Sequence, residues 1–192
     1  MGVYFHGQVV EGDSMSAFPH GREELAPAGT MTMDTARLRL RARTLCDLEA
    51  IVAMDADPVV RKFIGGPLDP RRSEAEHRAG TPRAACSWAI EWRNASGLLW
   101  LCGLGASDET GFTQIGWRLH RFAWGQGVAT EAARAVLMRA LGPIGLPVVV
   151  AMIHPDNRAS LHVAEKIGMK QSGITQYRGF PQLIYRADSS RL

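Results

Sequence analysis

Cysteine is scarce: three residues in 192, at Cys46, Cys86 and Cys102, odd in number and widely spaced. This excludes a disulfide framework and a C-x-x-C metal or redox motif, so no metal is expected and a reducing, cytoplasmic compartment is the natural setting. Lysine is equally scarce, 3 against 19 arginines, and no block of like charge occurs. The formal net charge of +3 is small and dispersed, so nucleic acid is not an expected partner. Long apolar runs are missing too. Stretches such as Leu146 to Ile153 fall well short of the roughly 18 to 20 residues that cross a bilayer, so no membrane partner is expected. What is present is ordinary: 46% apolar residues, with 20 Gly and 10 Pro, too few for a low-complexity chain. The length suits one core of about 150 residues plus additions.

Residues 1–33 mix Gly, Pro, His, Ser and scattered acids without a period and read as a flexible extension ahead of a domain spanning 34–192. They lack the basic start and apolar stretch of a signal peptide, and His6 stands where a myristoylation signal needs Ser or Thr. From Thr35, Ala36-Arg37-Leu38-Arg39-Leu40-Arg41 alternates apolar and basic residues, the pattern of a half-buried strand. Thr44 and Asp47 have capping-box spacing ahead of Leu48, Ile51 and Val52, which predicts a helix. Asp57-Pro58 restarts the chain, and Val59 to Ile64 reads as a second short helix stopped by Gly65-Gly66-Pro67. Residues 67–84 read as a loop around one weak helix near Ser73 to Arg78.

Trp88, Ile90 and Trp92 alternate along a strand that turns at Asn94-Ala95-Ser96-Gly97 into Leu98 to Leu104. Ile115, Trp117 and Leu119 continue this meander. Ala129 to Leu141 follows i, i+3, i+4, i+7 spacing closely and predicts the best helix in the chain. Val148 to Ile153 reads as a strand buried on both faces, Asn157 to Ile167 as a helix closed by Gly168, and Gln182 to Ala187 as the last strand. The plan is α+β with a mixed sheet and no internal repeat.

The most informative stretch is Trp124-Gly125-Gln126-Gly127-Val128-Ala129-Thr130-Glu131, which sets two glycines between a strand and the N-terminus of that helix. Glycines there let backbone N–H groups converge, and the helix dipole adds positive potential, an arrangement suited to phosphate. A plain strand-to-helix turn is the alternative. A Walker A loop needs a lysine that is absent, and a dinucleotide fingerprint needs a third glycine where Thr130 stands and an acid where the chain reads Val148-Val149-Val150.

The stretch resembles the acyl-CoA-binding motif Q/R-x-x-G-x-G/A of the GNAT N-acetyltransferases, with Trp124 in place of the usual Gln or Arg. That departure is typical of the ribosomal-protein N-terminal acetyltransferase-like branch, whose loops commonly read W-G-x-G-x-A-T-E-A. Asp57-Pro58-Val59-Val60-Arg61, Ile115-Gly116-Trp117-Arg118-Leu119, and Asn157-Arg158-Ala159-Ser160 followed by Lys166-Ile167-Gly168-Met169 resemble further segments of that branch, in order, over about residues 34 to 187. The resemblance implies a central sheet of about seven strands, mostly antiparallel and flanked by helices, splayed between its fourth and fifth strands. It implies acetyl-CoA as co-substrate, with pantetheine on the backbone of Trp117, Arg118 and Leu119. The pyrophosphate would lie on Gly125, Gln126, Gly127, Val128, Ala129 and Thr130, and Asn157 would be a further contact. Arg134 and Arg158 reach the adenosine phosphates or are plain surface residues.

The implied reaction is acetyl transfer to a primary amine, a protein N-terminus or a small molecule, by direct attack. It calls for a proton acceptor and a group to assist the departing thiolate. Ser160 matches the serine proposed in relatives for the second task. Many relatives carry Glu where Gln114 stands here, so the base is left to His120, His154, Tyr177 or water. Gln114 also supports a rival reading, a catalytically silent acyl-CoA sensor or partner module. Relatives occur as monomers and homodimers.

Overall fold

A computed structural model describes residues 32–79, 84–95, 97–98, 100–107, 110–177 and 179–191. The extension expected over 1–33 lies outside these residues except at its last two, and Met33 is already in a strand.

Eight strands form one sheet in the order β1-β2-β3-β4-β5-β6-β8-β7. They are β1 (Met33–Asp34), β2 (Leu38–Ala42), β3 (Ala84–Trp92), β4 (Trp100–Ala106), β5 (Thr113–Leu119), β6 (Val148–Ile153), β7 (Lys170–Tyr177) and β8 (Phe180–Asp188). The helices are α1 (Leu48–Ala56), α2 (Pro70–Arg78), α3 (Val128–Leu141) and α4 (Arg158–Lys166). All neighbouring strands are antiparallel except β5 and β6. The count exceeds the expected seven because two-residue β1 folds back on β2, so the fourth and fifth strands of the expectation are β5 and β6 here.

The registers explain the core. Leu40 pairs with Ile90, Trp88 with Cys102, and Leu104 with Ile115, which places these residues on one face of the sheet. The buried side of α3, with Val128, Ala132, Ala133, Val136, Leu137 and Ala140, joins them in a single apolar cluster. The alternate set, Arg41, Ala89, Leu101 and Arg118, points to the opposite face. There Arg118 reaches Asp55 of α1, so α1 covers that face.

Local signals account for most of the ends. Asp47 Oδ2 accepts from the Thr44 backbone N–H at 2.8 Å and from the Thr44 hydroxyl at 3.2 Å, completing the capping box at a 3-10 turn that leads into α1. Asp69 caps α2, with Pro70 as its first residue. Two expectations are corrected. Residues 58–65 form successive turns rather than a helix: Asp57 Oδ1 caps the Val59 and Val60 N–H groups, and the Arg61 side chain takes the Ile64 and Gly66 carbonyls. The second is β7, which the sequence did not suggest as a strand; it is an edge strand exposed at most positions and pairs with β8 alone.

Candidate active site

β5 and β6 run parallel and share only two register pairs, Thr113 with Val149 and Gln114 with Val150. Beyond Gln114 the strands part, so from Ile115 to Leu119 the backbone groups on that edge face a gap instead of a neighbouring strand. Trp117, Arg118 and Leu119, the expected pantetheine edge, stand along it.

The chain leaves β5 through His120 and a 3-10 turn at Arg121–Ala123. The Trp124 indole N–H then donates to the Leu119 carbonyl at 3.2 Å, and Gln126 Nε2 donates to the Phe122 carbonyl at 2.6 Å, folding the loop back on the strand end. Gly125 and Gly127 have φ of 73° and 74°, the left-handed region that glycine enters without strain. The first helical bond of α3 runs from the Glu131 N–H to the Gly127 carbonyl. It leaves the N–H groups of Val128, Ala129 and Thr130 without helical partners at the positive end of the helix dipole.

Glu131 braces this loop. Its carboxylate accepts from the Thr35 hydroxyl at 2.6 Å, the Arg37 backbone N–H at 2.9 Å and Arg37 Nε at 2.7 Å, while Arg37 Nη1 donates to the Gln126 carbonyl at 3.0 Å. Burial pushes the Glu131 carboxyl up, but the Thr35 and Arg37 bonds outweigh it and hold the group below its ordinary value. Beside the loop lies a cavity of about 530 Å³ lined by Thr35, Gly127, Thr130, Glu131, Arg134, Ala135 and Lys166. Arg134 donates to the Lys166 carbonyl, joining α3 to α4 at the rim. Lys166 was quoted in the sequence only as part of a motif; its place on this rim comes from the packing of α4 against α3.

The remaining candidates lie on β5, β7 and α4 with its cap, or directly after β5 and β6. His120 directly follows β5 and stacks on Phe122 with ring centroids 5.3 Å apart. Its imidazole is held below the ordinary value by burial first, with Arg118 adding to this and the Ala50 backbone carbonyl opposing it. His154 directly follows β6 and stacks on Phe63 at 5.1 Å. Asn157 caps α4, its Oδ1 accepting from the Ser160 N–H at 3.2 Å. The Ser160 hydroxyl has no hydrogen bond among the described residues. Tyr177 ends β7 opposite Phe180, in the last hairpin. Arg158 opens α4. Gln114 sits in the last pair before the strands part.

The Arg118 side chain does not line the gap; it enters a buried charge cluster that the sequence gave no sign of. Asp55, 1% exposed, accepts from Ser73 Oγ at 2.9 Å and His77 Nε2 at 2.9 Å. It also meets Arg61 Nη1 at 3.2 Å and Arg118 Nη1 at 2.7 Å. Burial pushes its carboxyl up, but the His77, Arg118, Ser73 and Arg61 partners outweigh this and hold it at about 2. The cluster ties α1, α2, the 58–65 turns and β5 into one unit. Arg61 and Arg118 belong to segments that carry the family resemblance, but nothing in the chain's order joins them to Asp55, Ser73 and His77.

Comparison with known proteins bears on the family and the fold. The family model described as an acetyltransferase (GNAT) domain matches residues 37–170. The YkkB protein of Bacillus subtilis (strain 168) is 30% identical over 162 residues, covering 81% of this chain and 94% of that protein. A crystal structure of a GNAT-family acetyltransferase from Bacillus anthracis superposes with a TM-score of 0.74 at 22% identity, covering 83% of this chain and 99% of that one. The aminoglycoside acetyltransferase AAC(6')-Ib, solved in complex with coenzyme A, superposes at 0.68 with 12% identity, covering 79% and 94% of the two chains. At these identities the two superpositions bear on the fold.

Proposed function

The chain belongs to the GNAT acetyltransferase family, and from that premise we propose that it moves an acetyl group from acetyl-CoA to the nitrogen of a primary amine by direct attack. The observation that carries this reading is the β5–β6 pair opening after Gln114 beside a glycine-shaped helix N-terminus and a cavity rimmed by Arg134 and Lys166. A strand edge with unpaired amides suits the amide-bearing pantetheine arm. The converging N–H groups of Val128, Ala129 and Thr130 suit a pyrophosphate, and Asn157, the α4 cap, is a further proposed contact. Arg134 and Lys166 suit the outer phosphates.

Bound there, acetyl-CoA supplies an acetyl group activated as a thioester. The chain's own residues orient the acceptor and handle its protons. The amine nitrogen forms the new bond to the acetyl carbon, the carbon–sulfur bond breaks, and the nitrogen gives up a proton. His120 accepts that proton, because its lowered basicity keeps the ring neutral near pH 7 and it follows the strand that carries the gap. The Ser160 hydroxyl donates a hydrogen bond to the departing sulfur, and Tyr177 remains, with His154 or water, an alternative acceptor of the amine proton. Gln114 cannot replace His120, since an amide does not accept a proton at neutral pH.

The test is titration of the purified chain with acetyl-CoA and CoA, followed by thiol release against a panel of small amines and N-terminal peptides. Saturable binding with turnover supports the transferase and sorts acceptors. Tight binding with no turnover across the panel moves the reading to an acyl-CoA sensor.

A further inference from the structure

A second cavity, of about 330 Å³, lies where the start of α1 meets the end of α2, lined by Arg43, Thr44, Leu45, Leu48, Ile51 and His77. Leu48 and Ile51 give it an apolar wall, and Arg43 gives it a half-buried cation. The Arg43 guanidinium bonds to His77 Nδ1 at 2.6 Å, and among the described residues no carboxylate lies within ion-pair distance of it. The nearest acids are already engaged. Asp47 is held by Arg41 and Thr44, and Asp55 by Ser73, His77, Arg61 and Arg118. The hydrogen-bond pattern assigns the His77 proton to Nε2, which faces Asp55, so Nδ1 accepts from Arg43 and adds no negative charge.

Two arginines, Arg61 and Arg118, thus meet one carboxylate, and a third, Arg43, is joined to it only through His77. Arg118 Nε is itself buried with no hydrogen-bond partner among the described residues. Burying a cation is unfavourable unless an anion meets it, so the cluster lacks negative charge. The cavity beside Arg43 is where an anion has room. It also connects to the reacting strand: Arg43 touches His77, His77 touches Asp55, and Asp55 touches Arg118 of β5.

We propose that this cavity binds a carboxylate carried by the acceptor. The acceptor class is then an amine with an acid group at the far end of an apolar spacer, and Arg43 is the residue that recognises the acid. The word acceptor rests on the acetyl-transfer reading; the carboxylate site does not. Polycationic amines are disfavoured, since no acid is among the residues that line the cavity.

Two measurements on the full chain test this separately. The first compares kcat/KM for ω-amino acids, from 4-aminobutanoate to 8-aminooctanoate, with that for alkylamines of matching length. The expected result is at least a tenfold preference for the acid at one or two lengths. In Arg43→Met the ratio falls toward one, and in Arg43→Lys, which keeps the charge, it is partly retained. The second titrates hexanoate, which has no amine to acetylate. It should bind saturably to the native chain and at least tenfold more weakly to Arg43→Met, with thermal melting and acetyl-CoA affinity reporting whether each variant is folded.

Turnover without preference for the acid, or hexanoate binding unaffected by the Arg43 substitutions, overturns the proposal and leaves acetyl transfer standing. Hexanoate binding that depends on Arg43 without acetylation of any amine supports the carboxylate site and sinks the transferase reading. If Arg43→Met does not fold, the native preference together with Arg43→Lys decides.

Discussion

Asp55 shows how much one residue can hold. Its carboxylate is the only negative charge among Arg61, Arg118 and the donors Ser73 and His77, and it is almost fully buried. Asp55→Asn keeps a similar shape but leaves buried arginines unpaired, so a loss of about 3–5 kcal/mol is expected, seen as a fall in Tm of about 10 °C. A change of only a degree or two would show that solvent already compensates these charges. His120 makes a different prediction. Its imidazole titrates below the ordinary 6.5, so if it accepts the amine proton, the acid limb of kcat/KM lies below pH 6.5. His120→Gln should remove that limb and slow turnover by about 10²–10⁴-fold, while acetyl-CoA affinity, read by titration, stays within a few-fold. A limb that survives the substitution assigns the proton to another group.

Elements here are fixed as much by distant braces as by their own propensity. α3 has a well-formed apolar face and needs little help, but the glycine loop ahead of it is held by the turn between β1 and β2, through Glu131, Thr35 and Arg37. Glu131→Ala removes three hydrogen bonds at once. Because Arg37 is nearly half exposed, the expected loss of stability is about 1–2 kcal/mol rather than the full sum of those bonds. The larger effect belongs to the loop: a rise of several-fold in the dissociation constant for acetyl-CoA, measured by titration beside a denaturant unfolding curve. Unchanged affinity would mean that Gly125, Gly127 and the helix dipole hold the loop without the brace.

At the scale of the whole molecule, several buried or half-buried acids share one property. Asp47, Asp55 and Glu131 each have carboxyls that burial pushes up and that their partners hold below the ordinary value. In the unfolded chain these groups take up protons near pH 4, whereas the native chain takes them up at lower pH. Their stabilisation is therefore complete above about pH 5 and is lost as the pH falls toward 2, with Asp55 alone contributing on the order of 2 kcal/mol. Urea unfolding at pH 7, 4 and 3 should show this decline, and Asp55→Asn should flatten it. Among the described residues no helix is long and apolar enough to cross a membrane.

What the sequence determined by itself was local. The spacing of Ala132, Ala133, Val136 and Leu137 implied α3, the run Val148 to Ile153 matched β6 residue for residue, and Gly125 and Gly127 marked a loop whose backbone needs positive φ. These signals are legible because periodicity and glycine act over a few residues. β7 was not legible, since an edge strand paired on one side and wet on most positions carries no apolar alternation. The turns over 58–65 read as a helix because the Arg61 side chain takes carbonyls that a helix would use, and its reach is invisible in the chain's order. The tertiary structure alone decided the charge cluster and the cavity beside it: Arg118 reads as part of the pantetheine edge and Arg61 as part of a motif, and only the packing of α1 and α2 on the sheet brings residues 43, 55, 61, 73, 77 and 118 together. Pairing across such separations depends on topology, which no local pattern encodes.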